Sequence, residues 1–247
     1  FLCLDSSCRM SLAGVIGFPV AGLNAVIREE FAAKGPDVVR TNLAVMHEAW
    51  RFAARAFPDP AWRVPPGDAK RRLLLHGNHA FALGAVAAGC RFIAAYPMTP
   101  ATTILEYLAA IGAEEGIVAK HAEDEIAAAC MAIGAGFAGA RAMTATSGGG
   151  FSLMVEALGL AGMAEVPVVI AEVQRGGPST GLPTRTEQAD LLFVIHAGQG
   201  EFPRIVLAPG TVEQCFEAGW RAFNLADRYQ CPVIVLSDLF LAGSLQT

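Results

Sequence analysis

The stretch Pro167-Val168-Val169-Ile170-Ala171-Glu172-Val173 decides the fold. Its apolar residues run on with too little alternation for a strand with one wet face. Strands buried on both sides of a parallel sheet look like this. Working outward, residues 151–163 read as a helix before it, and 141–145 as a strand before that. Upstream lie a helix over 124–139, a short strand near 117–119, a helix over 101–111, a strand over 91–96 and a helix over 77–88. Downstream come a strand at 204–207, a helix at 212–229 and a last strand at 232–236. Strands separated by helix-length segments imply right-handed βαβ units. The fold class is therefore α/β: a doubly wound, mostly parallel sheet with helices on both faces. Ligands of such sheets sit outside the carboxyl ends of the strands. The segments expected there are 96–103, 121–125, 146–150 and 174–186.

The front of the chain is different. Residues 1–56 read as a partial helical segment, with one helix around 23–31, a stop at Gly35-Pro36 and a second helix over 42–56. No complete set of strands is present there, so this front is expected to be the tail of a further domain. Phe57-Pro58-Asp59-Pro60-Ala61-Trp62-Arg63-Val64-Pro65-Pro66-Gly67-Asp68 follows. Its four prolines and one glycine sustain neither helix nor central strand, and residues 57–72 are read as a linker. The α/β domain is placed at 73–247.

Composition narrows the function. The 247 residues carry 18 Lys+Arg against 23 Asp+Glu, a net charge of −5, with 53% hydrophobic and 17% charged residues. That is too apolar for a disordered chain, and it lacks the basic excess of a nucleic-acid binder. The six cysteines form no CxxC pair, and Cys3 with Cys8 is too little for a zinc or iron–sulfur site. Reduced thiols and a cytoplasmic location are expected. No apolar run reaches the roughly 18 residues of a membrane span. The sequence starts at Phe1 with no basic region before its apolar start, so a fragment without a signal peptide is expected.

Two pattern matches are set aside. Gly134-Ala135-Gly136-Phe137-Ala138-Gly139 fits GxGxxG, but a helix precedes it and a strand follows, the reverse of what pyrophosphate binding needs. The glycines more simply let a helix approach the sheet. Gly177-Pro178-Ser179-Thr180-Gly181 fits GxSxG, but no helix starts promptly after it, as a nucleophile elbow requires.

Four constellations remain, each with a plainer alternative. In Tyr96-Pro97-Met98-Thr99-Pro100, the prolines stiffen a turn that holds the Thr99 hydroxyl toward the cleft; alternatively, Thr99 caps the next helix with Pro100 at its first position. His121-Ala122-Glu123-Asp124-Glu125 puts three carboxylates at a helix start, where capping and dipole compensation suit Glu123 and Asp124. Glu125 differs, because an Ala/Gly-rich helix follows it and it could touch a cofactor. Thr146-Ser147-Gly148-Gly149-Gly150 opens a helix and exposes backbone N–H groups to a ligand, or is only a tight packing turn. Residues 174–186 form a long Gly/Pro-rich loop of the kind that is usually functional. Arg175, just past the buried strand, could fork a carboxylate or be a solvated loop arginine.

Taken together these segments, with Gly77-Asn78-His79-Ala80, Arg175-Gly176-Gly177-Pro178-Ser179-Thr180-Gly181-Leu182-Pro183-Thr184 and Gly200-Glu201-Phe202-Pro203, resemble the α subunit of the 2-oxoacid:ferredoxin oxidoreductases, in the form fused to a γ-type domain. The resemblance runs from about residue 77 to 241. Residues 1–56 match the end of the γ-type domain only loosely. It implies a thiamine diphosphate-binding fold, of which this domain is the pyrimidine-binding module. By resemblance, Glu125 is the catalytic glutamate that contacts ring nitrogen N1′ of the cofactor, and Ser147 and Gly148 lie at the cofactor. Thr99, Arg175 and Thr184 are implied to face the 2-oxoacid, Arg175 pairing its carboxylate. A carboxyl at N1′ favours the imino tautomer whose nitrogen takes the thiazolium proton. The family passes electrons singly to an iron–sulfur cluster and then ferredoxin, and the acyl group to coenzyme A.

Two positions depart from the family pattern: His79 replaces an acidic residue, and Met98 stands where isoleucine is common. No GDG…N motif for diphosphate and Mg, and no cysteine set for a [4Fe-4S] cluster, occurs in the 247 residues. The resemblance places both on a β subunit, so no metal site is expected in this chain and activity is expected only with that partner. Two rival readings remain: the pyrimidine-binding domain of a decarboxylase- or transketolase-type enzyme, or a non-catalytic partner subunit.

Overall fold

The computed structural model describes residues 10–59, 62–65 and 72–247. Cys3, Cys8 and much of the segment read as a linker lie outside the described residues. The chain divides into two compact units, with the boundary between Arg71 and Arg72.

In the first unit a helical stretch over residues 10–15 precedes helix α1 (Val20–Phe31). A 3-10 turn (Ala32–Lys34) leads to α2 (Pro36–Ala56). The second helix thus starts earlier than the expected residue 42. Gly35, at φ 97°, breaks the chain direction, and Pro36 opens the new helix where its missing N–H costs nothing. Ile27 and Phe31 of α1 and Met46 and Ala53 of α2 are buried, and the Trp50 indole N–H donates to the Phe18 carbonyl at 3.1 Å.

The second unit runs α3 (Gly77–Ala87), β1 (Phe92–Ala95), α4 (Thr102–Glu115), β2 (Val118–His121), α5 (Glu125–Phe137), β3 (Ala142–Thr146), α6 (Gly148–Met163), β4 (Val168–Gln174), α7 (Leu191–His196), β5 (Ile205–Leu207), α8 (Val212–Tyr229), β6 (Pro232–Asp238) and α9 (Leu239–Gly243). The six strands form one sheet in the order β2-β1-β3-β4-β6-β5, and every pairing is parallel. All seven residues of β4 are buried, as its unbroken apolar run requires. Alternate residues of β4 serve two cores. Val169, Ala171 and Val173 face α3, α4 and α8, while Val168 and Ile170 face α5, α6 and α7. On α6, Phe151, Met154 and Leu158 recur at helical spacing and are each at most 1% exposed. Burial of each contributes about 1.5–3 kcal/mol.

The close helix packing rests on glycine. A Cβ on Gly136 would come within 2.6 Å of the Pro167 carbonyl oxygen. This part of the GxGxxG match is therefore a helix–sheet contact. Gly84 of α3 and Gly219 of α8 face each other, each against the other helix's backbone.

The chain passes from β1 outward to β2 and then returns across β1 to β3. The crevice of this switch point lies at the carboxyl ends of β1 and β3. No helix among the described residues is long and apolar enough to cross a membrane.

Candidate active site

Four strand ends converge on the site. After β1, residues 96–101 form an irregular turn, and α4 starts only at Thr102 with Ala101 at the N-cap. Thr99 therefore does not cap α4, and Pro100 is not its first residue. The turn is held from α3 instead. The buried Asn78 amide donates to the Pro100 carbonyl and to the Thr103 hydroxyl, both at 2.8 Å. Asn78 belonged to a recognisable sequence block, yet nothing in the sequence assigned it this role.

After β2, Asp124 is the N-cap of α5, its carboxylate accepting from the Ala127 N–H at 2.7 Å. That fulfils the capping expectation for Asp124 and frees Glu125 to turn inward. Glu125 is 3% exposed, and its Oε1 has no hydrogen-bond partner. His121 is exposed.

After β3, Ser147 is the N-cap of α6, and the helix takes in all three glycines, three residues earlier than expected. Glycine is a poor helix former, but here side chains would not fit. A Cβ on Gly150 would collide with the Thr146 hydroxyl and lie 2.5 Å from Glu125 Oε1. A Cβ on Gly148 would lie 2.5 Å from Asp190 Oδ2. The Ser147 hydroxyl makes no cap bond; it is wholly buried and without a partner. Glu125, Ser147 and Gly148 are thus gathered around the start of α6.

After β4, Arg175 is 9% exposed. Its guanidinium donates to the Thr99 carbonyl at 2.6 Å and to the Thr180 carbonyl at 2.5 Å. It is not a solvated loop arginine. It ties the turn after β1 to the loop after β4, and of five N–H donors two are used in doing so. The loop folds back at Gly176, which donates to the Arg185 carbonyl and accepts from Leu182. No helix begins before Leu191, so Ser179 is not on a nucleophile elbow.

Met98, Gly148, Gly149, Arg175, Ser179 and Asp190 contribute to the lining of a cleft of about 450 Å³. Thr99 is exposed and meets Arg175 through its carbonyl. Thr184 is exposed farther along the loop and does not line this cleft.

The structure adds an acid pair that no sequence motif marks. Glu172, on β4 opposite Thr146, is wholly buried. Burial first, and then the facing Asp190 carboxyl, push the Glu172 carboxyl well above the usual carboxylate range. Burial also raises Asp190, against the opposing hydrogen bond from Glu172. The available signal was one acidic residue in a strand with no wet face.

A thiamine cofactor needs a carboxyl free to meet a ring nitrogen and a main chain that lets a ring approach. The unpartnered Glu125 Oε1 and the side-chain-free turn at 148–150 fit those needs. Among the described residues there is no cluster of three or more His, Cys, Asp or Glu side chains that could hold a metal ion.

Residues 83–247 match the family described as "Pyruvate flavodoxin/ferredoxin oxidoreductase, thiamine diP-bdg". The chain is 52% identical over 195 residues to the 2-oxoacid:ferredoxin oxidoreductase 1 α subunit of Sulfurisphaera tokodaii, covering 74% of this chain and 31% of that one. It is 41% identical over 243 residues to the 2-oxoglutarate oxidoreductase subunit KorA of Mycobacterium tuberculosis, covering 94% and 36%. A solved structure of 2-oxoglutarate:ferredoxin oxidoreductase from Magnetococcus marinus, with 2-oxoglutarate, coenzyme A and succinyl-CoA bound, superposes with a TM-score of 0.94 at 41% identity. It covers 99% of this chain and 43% of that one. The chain thus spans about a third of the length of those two curated relatives. A family match over two thirds of its residues, on an all-parallel sheet whose strand ends carry the matching motifs, means that the chain belongs to the pyruvate flavodoxin/ferredoxin oxidoreductase family, in its thiamine diphosphate-binding part.

Proposed function

We propose that this chain is the pyrimidine-binding part of the α subunit of a 2-oxoacid:ferredoxin oxidoreductase, and that it acts with a β subunit. In this reading residues 73–247 are the pyrimidine-binding domain, 57–72 a linker and 1–56 the end of a γ-type domain. The reaction is the oxidative decarboxylation of a 2-oxoacid to an acyl-CoA and CO2, with two electrons passed singly toward ferredoxin. One observation carries the proposal: the buried Glu125 carboxyl has an unpartnered oxygen beside the glycine turn.

Thiamine diphosphate, when bound, supplies the nucleophilic carbon that attacks the 2-oxo carbonyl. Glu125 would hold a proton between its Oε1 and the pyrimidine ring nitrogen, tuning the cofactor's acid–base state. Gly148–Gly150 would admit the ring to the main chain, with Ser147 at the same helix start. Arg175 would orient the substrate carboxylate with the N–H groups left by Thr99 and Thr180, and Thr99 would help to seat the acid. Thr184, outside the cleft, is proposed to approach only with the loop's outer part. Mg and the [4Fe-4S] cluster are assigned to the β subunit, coenzyme A is the co-substrate, and the location is cytoplasmic.

Support for a partner comes from the surface. Ile126, Met131 and Phe137 of α5 and Leu153, Leu160 and Met163 of α6 are large apolar side chains left exposed. Relatives named for 2-oxoglutarate and for 2-oxoacids in general make both that acid and pyruvate part of the test. The experiment is viologen or ferredoxin reduction by the reconstituted α/β complex with a panel of 2-oxoacids and coenzyme A. Oxoacid-dependent reduction is expected. Decarboxylation without electron transfer would favour a decarboxylase-type enzyme, and no turnover with an intact complex would favour a non-catalytic partner.

A further inference from the structure

The cleft that holds Arg175 has an acidic floor. Asp190, at the N-terminal edge of α7, lines it and lies against Gly148. Its backbone N–H donates to the Gln174 side-chain oxygen at 3.0 Å, and the Gln174 amide donates to the Ser237 carbonyl at 3.1 Å. Gln174 and Glu172 project from the same face of β4, two residues apart, so this bond holds Asp190 on the Glu172 side of the sheet. Neither oxygen of Glu172 accepts a hydrogen bond. An ionised carboxylate so placed would lack both water and donors, a costly state. A protonated one needs a single acceptor, and the neighbouring Asp190 carboxyl, whose charge bears on Glu172, can supply it.

We propose that Glu172 and Asp190 share one proton and act as a positioning pair, holding the Gly148 turn and keeping the floor of the Arg175 cleft at a single negative charge so that an anionic substrate can enter. The consequence for substrate rests on the function proposed above; the shared proton does not. The sign follows directly. While the proton is shared, the pair carries −1. Its loss at alkaline pH gives −2 beside the site where a carboxylate must bind, so substrate binding weakens as pH rises. The other charged groups near the pair are Glu187, whose charge bears on Asp190, Glu125 of α5 across Gly150, and Arg175 on the cleft wall. Asp238, at the end of β6, accepts from Gln188 at 2.6 Å. The facing turn of α6 is glycine and carries no charge.

The test uses the complete α/β complex. Infrared difference spectra between wild type and Glu172→Gln at neutral pH should show loss of a protonated-carboxyl C=O stretch. In wild type the KM for the oxoacid should rise roughly tenfold on the alkaline side, the size expected of one added, partly screened charge. Glu172→Gln keeps the donor to Asp190 but has no proton to lose, so its KM should stay flat. If that variant does not fold, Asp190→Asn serves: the C=O stretch should shift in frequency as its acceptor changes. Loss of a carboxylate band instead of the acid band would overturn the proposal, as would an alkaline KM rise identical in both variants and wild type. Arg175→Ala with unchanged KM and an intact acid band would sink the substrate assignment of Arg175 and leave the shared proton supported.

Discussion

Glu125 turns inward because its neighbour Asp124 takes the capping role, accepting from the Ala127 N–H. The sequence showed three carboxylates in a row, but only the cap geometry separates the one left with a buried, unpartnered oxygen. In the complex, Glu125→Gln should lower turnover by about 10²–10⁴-fold, the usual size of a general acid–base contribution, with cofactor affinity changed much less. Steady-state kinetics beside a cofactor titration checks this, and near-normal turnover would shift attention to Glu123. Gly150→Ala tests the same atom from the other side. The new methyl would meet the Thr146 hydroxyl and Glu125 Oε1, so turnover should fall while circular dichroism stays native. Arg175 shows what one sequence leaves unsaid. Its place past a buried strand suggested a carboxylate fork, but its bonds to the Thr99 and Thr180 carbonyls join segments 76 and 5 residues away. Arg175→Lys keeps charge and loses this bridging geometry, so it should raise the substrate KM. Arg175→Ala should cost about 2–5 kcal/mol in substrate binding if the carboxylate is left buried and unpaired. An unchanged KM for every oxoacid would give the arginine a purely structural role.

The long elements were legible because their periodicity is strong: β4 by its unbroken apolar run, and α8 by a stripe that places Cys215, Ala218, Ala222 and Ala226 inside. The short helices α7 and α9 were not expected. Six and five residues give too few turns for a pattern, and their positions are set by tertiary contacts. The start of α6 is hidden in the sequence because glycine propensity argues against helix, whereas the crowding by Glu125 and Asp190 exists only in three dimensions. Helix packing gives a stability prediction. Gly84 lies against the Phe216 carbonyl, and a Cβ on Gly219 would reach the Phe81 oxygen at 2.5 Å. Gly84→Ala must push α3 from α8 and should destabilise by about 1–3 kcal/mol or more, read from the urea midpoint. Helix α3 also carries a pH dependence at its start. The His76 and His79 rings stack at 3.7 Å. Burial lowers both imidazoles' pKa; His79 lowers His76 further, and the Ala242 backbone opposes. A lowered folded-state value means that the unfolded chain binds protons first, so stability is lost as pH falls through the unfolded value of 6.5. The melting temperature should therefore drop between about pH 7 and about pH 5, and by less in His79→Gln. Equal drops in both proteins would show that this pair does not set the acid limb.

At the scale of the whole molecule, the proposed site is one-sided. In the proposed reading Glu125, the glycine turn and Arg175 address a pyrimidine ring and a carboxylate, and the diphosphate with its metal is left to the β subunit. The 247 residues contain no GDG…N motif, and no cluster of three or more metal-ligating side chains exists among the described ones. Most of the binding energy of a doubly charged diphosphate comes through its metal and the backbone donors around it. A protein presenting only the pyrimidine half should hold the cofactor through one carboxyl contact and apolar packing. The purified 247-residue chain should thus bind thiamine diphosphate weakly, and Mg²⁺ should add little. Because a ligand stabilises the native state only when its concentration exceeds Kd, a thermal melt with the cofactor at about 0.1 mM should show almost no shift. Adding the β subunit should produce a shift that now depends on Mg²⁺. Calorimetry giving micromolar, Mg²⁺-dependent binding to the chain by itself would overturn the division of the site between two subunits and require a diphosphate site within these residues.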